Sequence, residues 1–301
     1  MKPVELNSAS DKPDQEDTVV YNCTDDSSIN VEISEVLTPA TCAFLINEIL
    51  QGILYQKCQI PYPYTWLKSV VNRKRAKDST SENAVKKINF SAASHFRIVS
   101  TAYDILENVM KGIIKEFSER GDCIKEVVFV IGPTPQCPKE IYTINITSLA
   151  KGHLERNHAN SLCKYRQKIL RNIFLCQRWM DAVDNSMTCT NTFIFLKTFV
   201  TPSGSPNVDS SENIFVPSRP LTFPSKTKHI KINLNYEQGE YRNCCDGFFV
   251  FEDVGGGEAG KQRQNSESTE AQETVSWYQS KDLFKGFKDC YINKVSASEL
   301  W

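Results

Sequence analysis

The five residues Val127-Val128-Phe129-Val130-Ile131, closed off by Gly132-Pro133, constrain this chain more than any other stretch. Side chains of a strand alternate between the two faces of a sheet, so an unbroken apolar run of this length has no side that tolerates water. It predicts a central strand covered on both faces, and with it a layered domain of mixed α/β build. The segment from Ile141 to Ile146 follows after a hairpin-length connection, with Tyr142, Ile144 and Ile146 alternating against Thr143 and Asn145. That alternation predicts an antiparallel partner. Further strands are expected at 190–199, where Phe193, Phe195 and Phe199 alternate, at 228–235, where Ile230, Ile232 and Leu234 do so, and at 247–252.

The cover must come from helices. Thr38-Pro39 reads as an N-cap followed by proline at the first helical position, and Cys42, Leu45, Ile46, Ile49, Leu50, Ile53 and Leu54 then recur at helical spacing. This predicts a helix over 39–57, stopped by Pro61 and Pro63. A shorter helix carries Trp66, Leu67, Val70 and Val71. The stripe Phe96, Val99, Tyr103, Leu106, Met110, Ile113, Phe117 predicts a long helix over 92–119, and Leu162, Tyr165, Ile169, Ile173, Leu175 and Trp179 predict another over 162–182.

Residues 1–33, rich in Ser, Asp, Asn and Pro, read as a disordered tail. One domain is expected over 34–292, with flexible insertions at about 73–91 and 253–274 and a short tail at 293–301. Trp277, Tyr278, Phe284 and Phe287 are too apolar to be left in water, so the C-terminal segment must reach back to a partner surface.

Composition narrows the function. Lys and Arg number 35 against 36 for Asp and Glu, so the whole chain carries no field that draws in nucleic acid or an anionic membrane. The first 30 residues hold no charged-then-apolar leader and no apolar run reaches about 18 residues, which leads us to expect a cytosolic or nuclear protein. The 11 cysteines form no CxxC pair, so zinc-ligand spacing is missing and reduced thiols are the expectation. His95, His153, His158 and His229 fall in no HxxxH or HExxH arrangement, there is no GxSxG elbow, and Gly255-Gly256-Gly257 is not followed by the Gly-Lys-Ser/Thr of a phosphate loop. We therefore expect no cofactor, no metal and no catalytic residue, and a protein that works through surfaces. A thiol-dependent hydrolase stands as the enzymatic alternative, and nucleic-acid binding through Arg73, Lys74, Arg75 and Lys77 as a third class.

The run Ile53-Leu54-Tyr55-Gln56-Lys57-Cys58-Gln59-Ile60-Pro61-Tyr62-Pro63-Tyr64 resembles the first helix and proline turn of the comet family, HORMA-like proteins that bind the mitotic arrest deficient checkpoint protein in its closed state. Three more stretches are similar in the same order: Val128 to Gly132 with Pro138 to Tyr142, then Leu170-Arg171-Asn172-Ile173-Phe174, then Trp277-Tyr278-Gln279 with Leu283 to Phe287. The resemblance implies an α+β fold, an antiparallel sheet backed by three helices and closed by a C-terminal safety belt that includes Trp277, Tyr278, Phe284 and Phe287. It implies a non-enzymatic adaptor that binds the closed checkpoint protein, blocks its dimerisation and presents it to a hexameric AAA+ ATPase for remodelling, silencing the spindle assembly checkpoint. Location in nucleus and cytoplasm, at spindle or kinetochore in mitosis, goes with that role. Gln56 and Leu170 match family positions that contact the checkpoint protein, and Arg166 and Ile173, one turn away, would share the face. Pro217 and Ser218 match an ATPase-facing dipeptide, with Lys226 and Lys228 as neighbouring charge. Leucine at 170 stands where the family carries an aromatic, and serine at 218 where it carries a basic residue. A HORMA module of another pathway that captures a peptide is the alternative within the fold.

Overall fold

In the computed structural model, which describes residues 28–33, 36–80, 90–150, 155–200, 213–236, 274–299 and 301, the run at 127–131 is the middle of strand β2 (Ile124–Gly132). Val127 to Ile131 are at most 1% exposed, the double burial that their continuity demanded. Two antiparallel neighbours flank β2: β3 (Glu140–Ile146) puts Tyr142 opposite Phe129, and β4 (Asn191–Val200) puts Ile194 there from the other side. Beyond β4 lie β7 (Thr274–Ser280) and then β5 (Phe215–Ser218), while β8 (Phe284–Lys285) pairs with the start of β4.

Beyond β3 the pairing changes sense. Strand β6 (Lys228–Tyr236) runs parallel to β3, and β1 (Ser28–Ile33) parallel to β6. The sheet is thus mostly antiparallel with a parallel wing, where an antiparallel one was expected. The chain travels through two helices and two further strands between β3 and β6, and parallel neighbours require such a crossover.

Strand β1 corrects the expected 1–33 tail. Ile29, Val31 and Ile33 alternate into the core, and on the other face Asn30, Asn233 and Asn145 form a cross-strand ladder with Nδ2 to Oδ1 distances of 2.6 Å. The period-two pattern lies in the sequence, but the polar composition before it hid it. Residues 1–27 lie outside the described residues, as do 81–89, the strand expected at 247–252 and the insertion expected at 253–274 up to residue 273.

Five α-helices occur among the described residues, against the four that periodicity predicts and the three that the resemblance implies. Helix α1 (Pro39–Gln56) begins where Thr38 Oγ1 accepts from the Thr41 amide at 3.2 Å, and it is buried nearly all round because it lies between α3 (Phe90–Arg120) and α4 (Glu155–Phe174). Helix α2 (Tyr64–Thr80) runs on through 73–80, which had been assigned to a loop. Its charges find partners: Lys74 with Asp78 one turn on, and Arg75 with Asp104 of α3 at 2.7 Å. The helix expected at 162–182 is broken into α4 and α5 (Gln177–Val183), and Cys176 Sγ accepts from the Trp179 amide at 3.4 Å to start the second. The break changes the phase of the stripe, so that Trp179 is fully buried and Leu175 is 65% exposed.

The helices cover one face of the sheet. On the other, Val128, Val130, Ile141 and Phe195 form a second small core, closed by Phe193, Leu221, Phe223 and Trp277. The residues taken as a C-terminal tail also pack: β9 (Tyr291–Ile292) and β10 (Val295–Ser296) form a hairpin with Asn293 and Lys294 at positive φ. Beyond it the Trp301 ring meets His95 and Phe96 of α3, and its Nε1 donates to the Ala92 carbonyl at 3.1 Å.

Candidate binding surface

The surface expected from α1 and α4 rests on a buried polar junction. Lys57, the first residue after α1, is fully buried, yet its ammonium is satisfied. Nζ donates to Glu140 Oε1 at 3.0 Å, to the Ala182 carbonyl at 2.7 Å and to the Asn185 carbonyl at 3.0 Å. The second carboxylate oxygen of Glu140 accepts from the Tyr142 hydroxyl at 2.7 Å. Burial, with the Glu140 charge beside it, pushes the Tyr142 phenol well above its usual range, so it remains a donor. A charge taken out of water needs such a complete shell, and this one ties the end of α1 to the sheet and to the end of α5.

Gln56 sits directly before this junction. Its Oε1 accepts from the Trp179 indole at 2.8 Å, and the Trp179 ring packs on Phe174 with centroids 5.0 Å apart. Phe174 in turn fits against Gly52, where an added Cβ would come within 2.9 Å of the ring. Two turns further back, the Arg166 guanidinium lies over the Phe44 ring at 4.6 Å and its Nη2 reaches Thr41 Oγ1 at 3.4 Å. Arg166 thus meets the start of α1 and Gln56 lies at its end, so the two mark opposite ends of the seam between α1 and α4, and Gln56, Arg166 and Leu170 are each half-buried. Ile173 is not on that surface. It is fully buried, because the helix turns that side chain into the core, and it supports the seam from beneath.

Sequence reasoning missed the most exposed apolar side chains here. Tyr55 at the end of α1, Leu175 after α4 and Met180 on α5 are 45%, 65% and 43% exposed. Leu175 was assigned to the stripe, and only the helix break puts it outside.

Pro217 and Ser218 lie on β5, an outer strand of the sheet among the described residues, a position that suits proline because one of its edges has no ladder there to donate to. In register they stand opposite Tyr278 and Trp277 of β7, so two residue sets chosen separately meet across one pairing. Lys228 is not part of this edge. Its Nζ donates to the Ala182 carbonyl at 2.7 Å and lies 3.9 Å from Glu140, at the buried junction.

The C-terminal segment is held by a residue not singled out in the sequence. Gln59 is fully buried: its Oε1 accepts from the Thr190 amide at 2.8 Å, its Nε2 donates to the Lys57 carbonyl at 2.9 Å, and its carbonyl accepts from the Phe287 amide at 2.9 Å. The Gly286 amide donates to the Thr190 carbonyl at 2.8 Å, and Phe284 and Phe287 are buried beside it. Trp277 lies within 5.8 Å of the Lys197 ammonium on the outer face, while Arg120 covers the Tyr278 ring at 4.7 Å.

Among the described residues no group of three or more His, Cys, Asp or Glu side chains is placed to hold a metal ion, and no helix is long and apolar enough to cross a membrane. The side chains of His153 and His158 lie outside the described residues.

A mostly antiparallel sheet with helices on one face and the C-terminal segment returned to it defines an α+β domain of HORMA-like fold, and its candidate site is a surface of packed helices. The family p31comet, described as "Mad1 and Cdc20-bound-Mad2 binding", matches residues 2–243. The chain belongs to the p31comet family. Among curated relatives, it is similar to the MAD2L1-binding protein of Mus musculus, 25% identical over 194 residues that cover 64% of this chain and 64% of that protein. It is also similar to the MAD2L1-binding protein of Homo sapiens, 21% identical over 267 residues that cover 89% of this chain and 82% of the human one. Both relatives are named as binding proteins.

Proposed function

We propose that this chain is a non-enzymatic adaptor that binds the closed form of the mitotic arrest deficient checkpoint protein, blocks its dimerisation and presents it to a hexameric AAA+ ATPase, silencing the spindle assembly checkpoint. The observation that carries this reading is the family match over 2–243, whose description is the binding of Mad1 and Cdc20-bound Mad2. The α1 and α4 seam supports the place of contact. Gln56, Arg166 and Leu170 lie on the two helices that form it, and Tyr55, Leu175 and Met180 add apolar area around its end. Such a surface, with aromatic and aliphatic anchors, suits a protein partner.

In the same reading the segment from Trp277 to Phe287 acts as the safety belt, supported by the buried anchors Phe284 and Phe287 and by the bonds at Gln59 and Thr190. The outer strand with Pro217 and Ser218 faces the ATPase, and the protein works in nucleus and cytoplasm, at spindle or kinetochore in mitosis, without a nucleic-acid or membrane partner.

The test is a pull-down with the checkpoint protein locked in its closed or its open form. Wild type retains the closed form only. The double variant Leu170→Ala, Gln56→Glu, which leaves an acceptor for the Trp179 indole, loses it while keeping its unfolding midpoint. Equal capture of both forms, or full capture by a folded double variant, refutes the assignment.

A further inference from the structure

Two cysteines from segments far apart in the chain lie side by side at the end of α1. Cys58 follows the last turn of α1 at φ 54°, a left-handed conformation uncommon for a residue with a side chain, and its thiol is exposed. It lines an open cleft of about 810 Å³ walled by Tyr55, Pro61, Met187, Phe287 and Tyr291. Cys189, just before β4, donates from Sγ to the Cys58 carbonyl at 3.2 Å. The neighbouring residues hold the two segments side by side: the Thr190 amide donates to Gln59 Oε1 at 2.8 Å, and Gln59 Nε2 donates to the Thr188 carbonyl at 3.4 Å. A carbonyl oxygen lies roughly 2.4 Å from its own Cα, which keeps the Cys189 sulfur within about 5.6 Å of the Cys58 Cα.

We propose that Cys58 and Cys189 form a modification site, a thiol pair that a peroxide converts to an intramolecular disulfide. The exposed Cys58 reacts first. Its thiolate attacks one oxygen of hydrogen peroxide, the O–O bond breaks, and hydroxide leaves the new sulfenic acid. The Cys189 thiolate then attacks the Cys58 sulfur, the S–S bond forms, and a second hydroxide leaves. The two hydroxides take up the two thiol protons, so two thiols and one peroxide give one disulfide and two waters. Burial raises the Cys189 thiol and the Lys288 charge opposes it, which supplies a cation beside the resolving sulfur. The bond pins the turn after α1 to the start of β4, next to Phe287.

The experiment treats the full chain with hydrogen peroxide, blocks remaining thiols with an alkylating agent and maps peptides without reduction. The expected result is a monomer with a Cys58–Cys189 linked peptide, lost in Cys58→Ser and in Cys189→Ala and reversed by a dithiol. Recovery of Cys189 alkylated while Cys58 is found as sulfinic acid, joined to another cysteine or bridging two chains overturns the proposal. The readout is the bond itself and does not depend on checkpoint-protein binding.

Discussion

Lys57 and Glu140 form a fully internal ion pair, 3.0 Å from nitrogen to oxygen, at the point where α1, α5 and β3 converge. Each partner is otherwise occupied, Lys57 by the carbonyls of Ala182 and Asn185 and Glu140 by Tyr142. Removing Lys57 leaves the Glu140 charge buried with only the more exposed Lys228 ammonium, 3.9 Å away, to balance it. Lys57→Met is expected to cost about 3–5 kcal/mol of unfolding free energy, and Lys57→Met with Glu140→Gln clearly less, because the second change removes the orphan. Denaturant titration of the three proteins measures both.

Gly286 has no room for a side chain. A Cβ there would lie 2.6 Å from Gln59 Oε1 and 3.1 Å from the carbonyl oxygens of Gln59 and Thr190. Two of those atoms are backbone, so the C-terminal segment itself must shift. Gly286→Ala is expected to destabilise by roughly 1–3 kcal/mol and to speed proteolysis within 280–299. A cleavage rate equal to wild type counts against the clamp.

Leu175 is exposed through the break between α4 and α5, so replacing it changes little inside the protein. Leu175→Asp is expected to stay within about 0.5 kcal/mol of wild-type stability. Under the adaptor reading it weakens capture of the closed checkpoint protein, measured by the same pull-down. Trp179→Leu, in contrast, removes the indole donor that Gln56 accepts from and unsettles the whole seam.

His229 lies on the open face of the sheet, hydrogen-bonded through Nε2 to Thr143 Oγ1 at 2.8 Å, with Phe223, Lys231 and Glu126 around it. Burial, then the Lys231 charge, lowers its pKa below the ordinary 6.5, so the unfolded chain binds the proton more readily than the folded one. The group therefore costs no stability above 6.5. As pH falls through 6.5 toward the folded value, stability declines, and below the folded value the loss is complete. His229→Gln is expected to flatten the unfolding midpoint between pH 7 and pH 5 relative to wild type.

Much of the fold was legible because it is written in local periods. Val127 to Ile131 can only be a strand covered on both faces, and the stripe from Phe96 to Phe117 can only be a helix with one buried side. The site was legible in part. The resemblance pointed to Gln56 and Leu170, and helical spacing added Arg166, which is half-buried on α4, and Ile173, which the core claims. Spacing cannot tell which edge of an apolar stripe ends inside.

What the sequence determined by itself was the demand for burial: where apolar periods of two or of three to four occur, and that no strong field or ligand motif competes with them. Tertiary structure alone decided how the polar groups are matched. Lys57 meets Glu140 from 83 residues away and Gln59 meets Thr190 from 131 away, and no local pattern signals either. It also decided that α4 ends at Phe174, since only Trp179 finding its place against Phe174 and Gln56 makes the break favourable, and that 28–33 joins a sheet edge. The reason is physical: apolar burial is non-directional and can be read one segment at a time, whereas a buried hydrogen bond exists only when both partners have arrived.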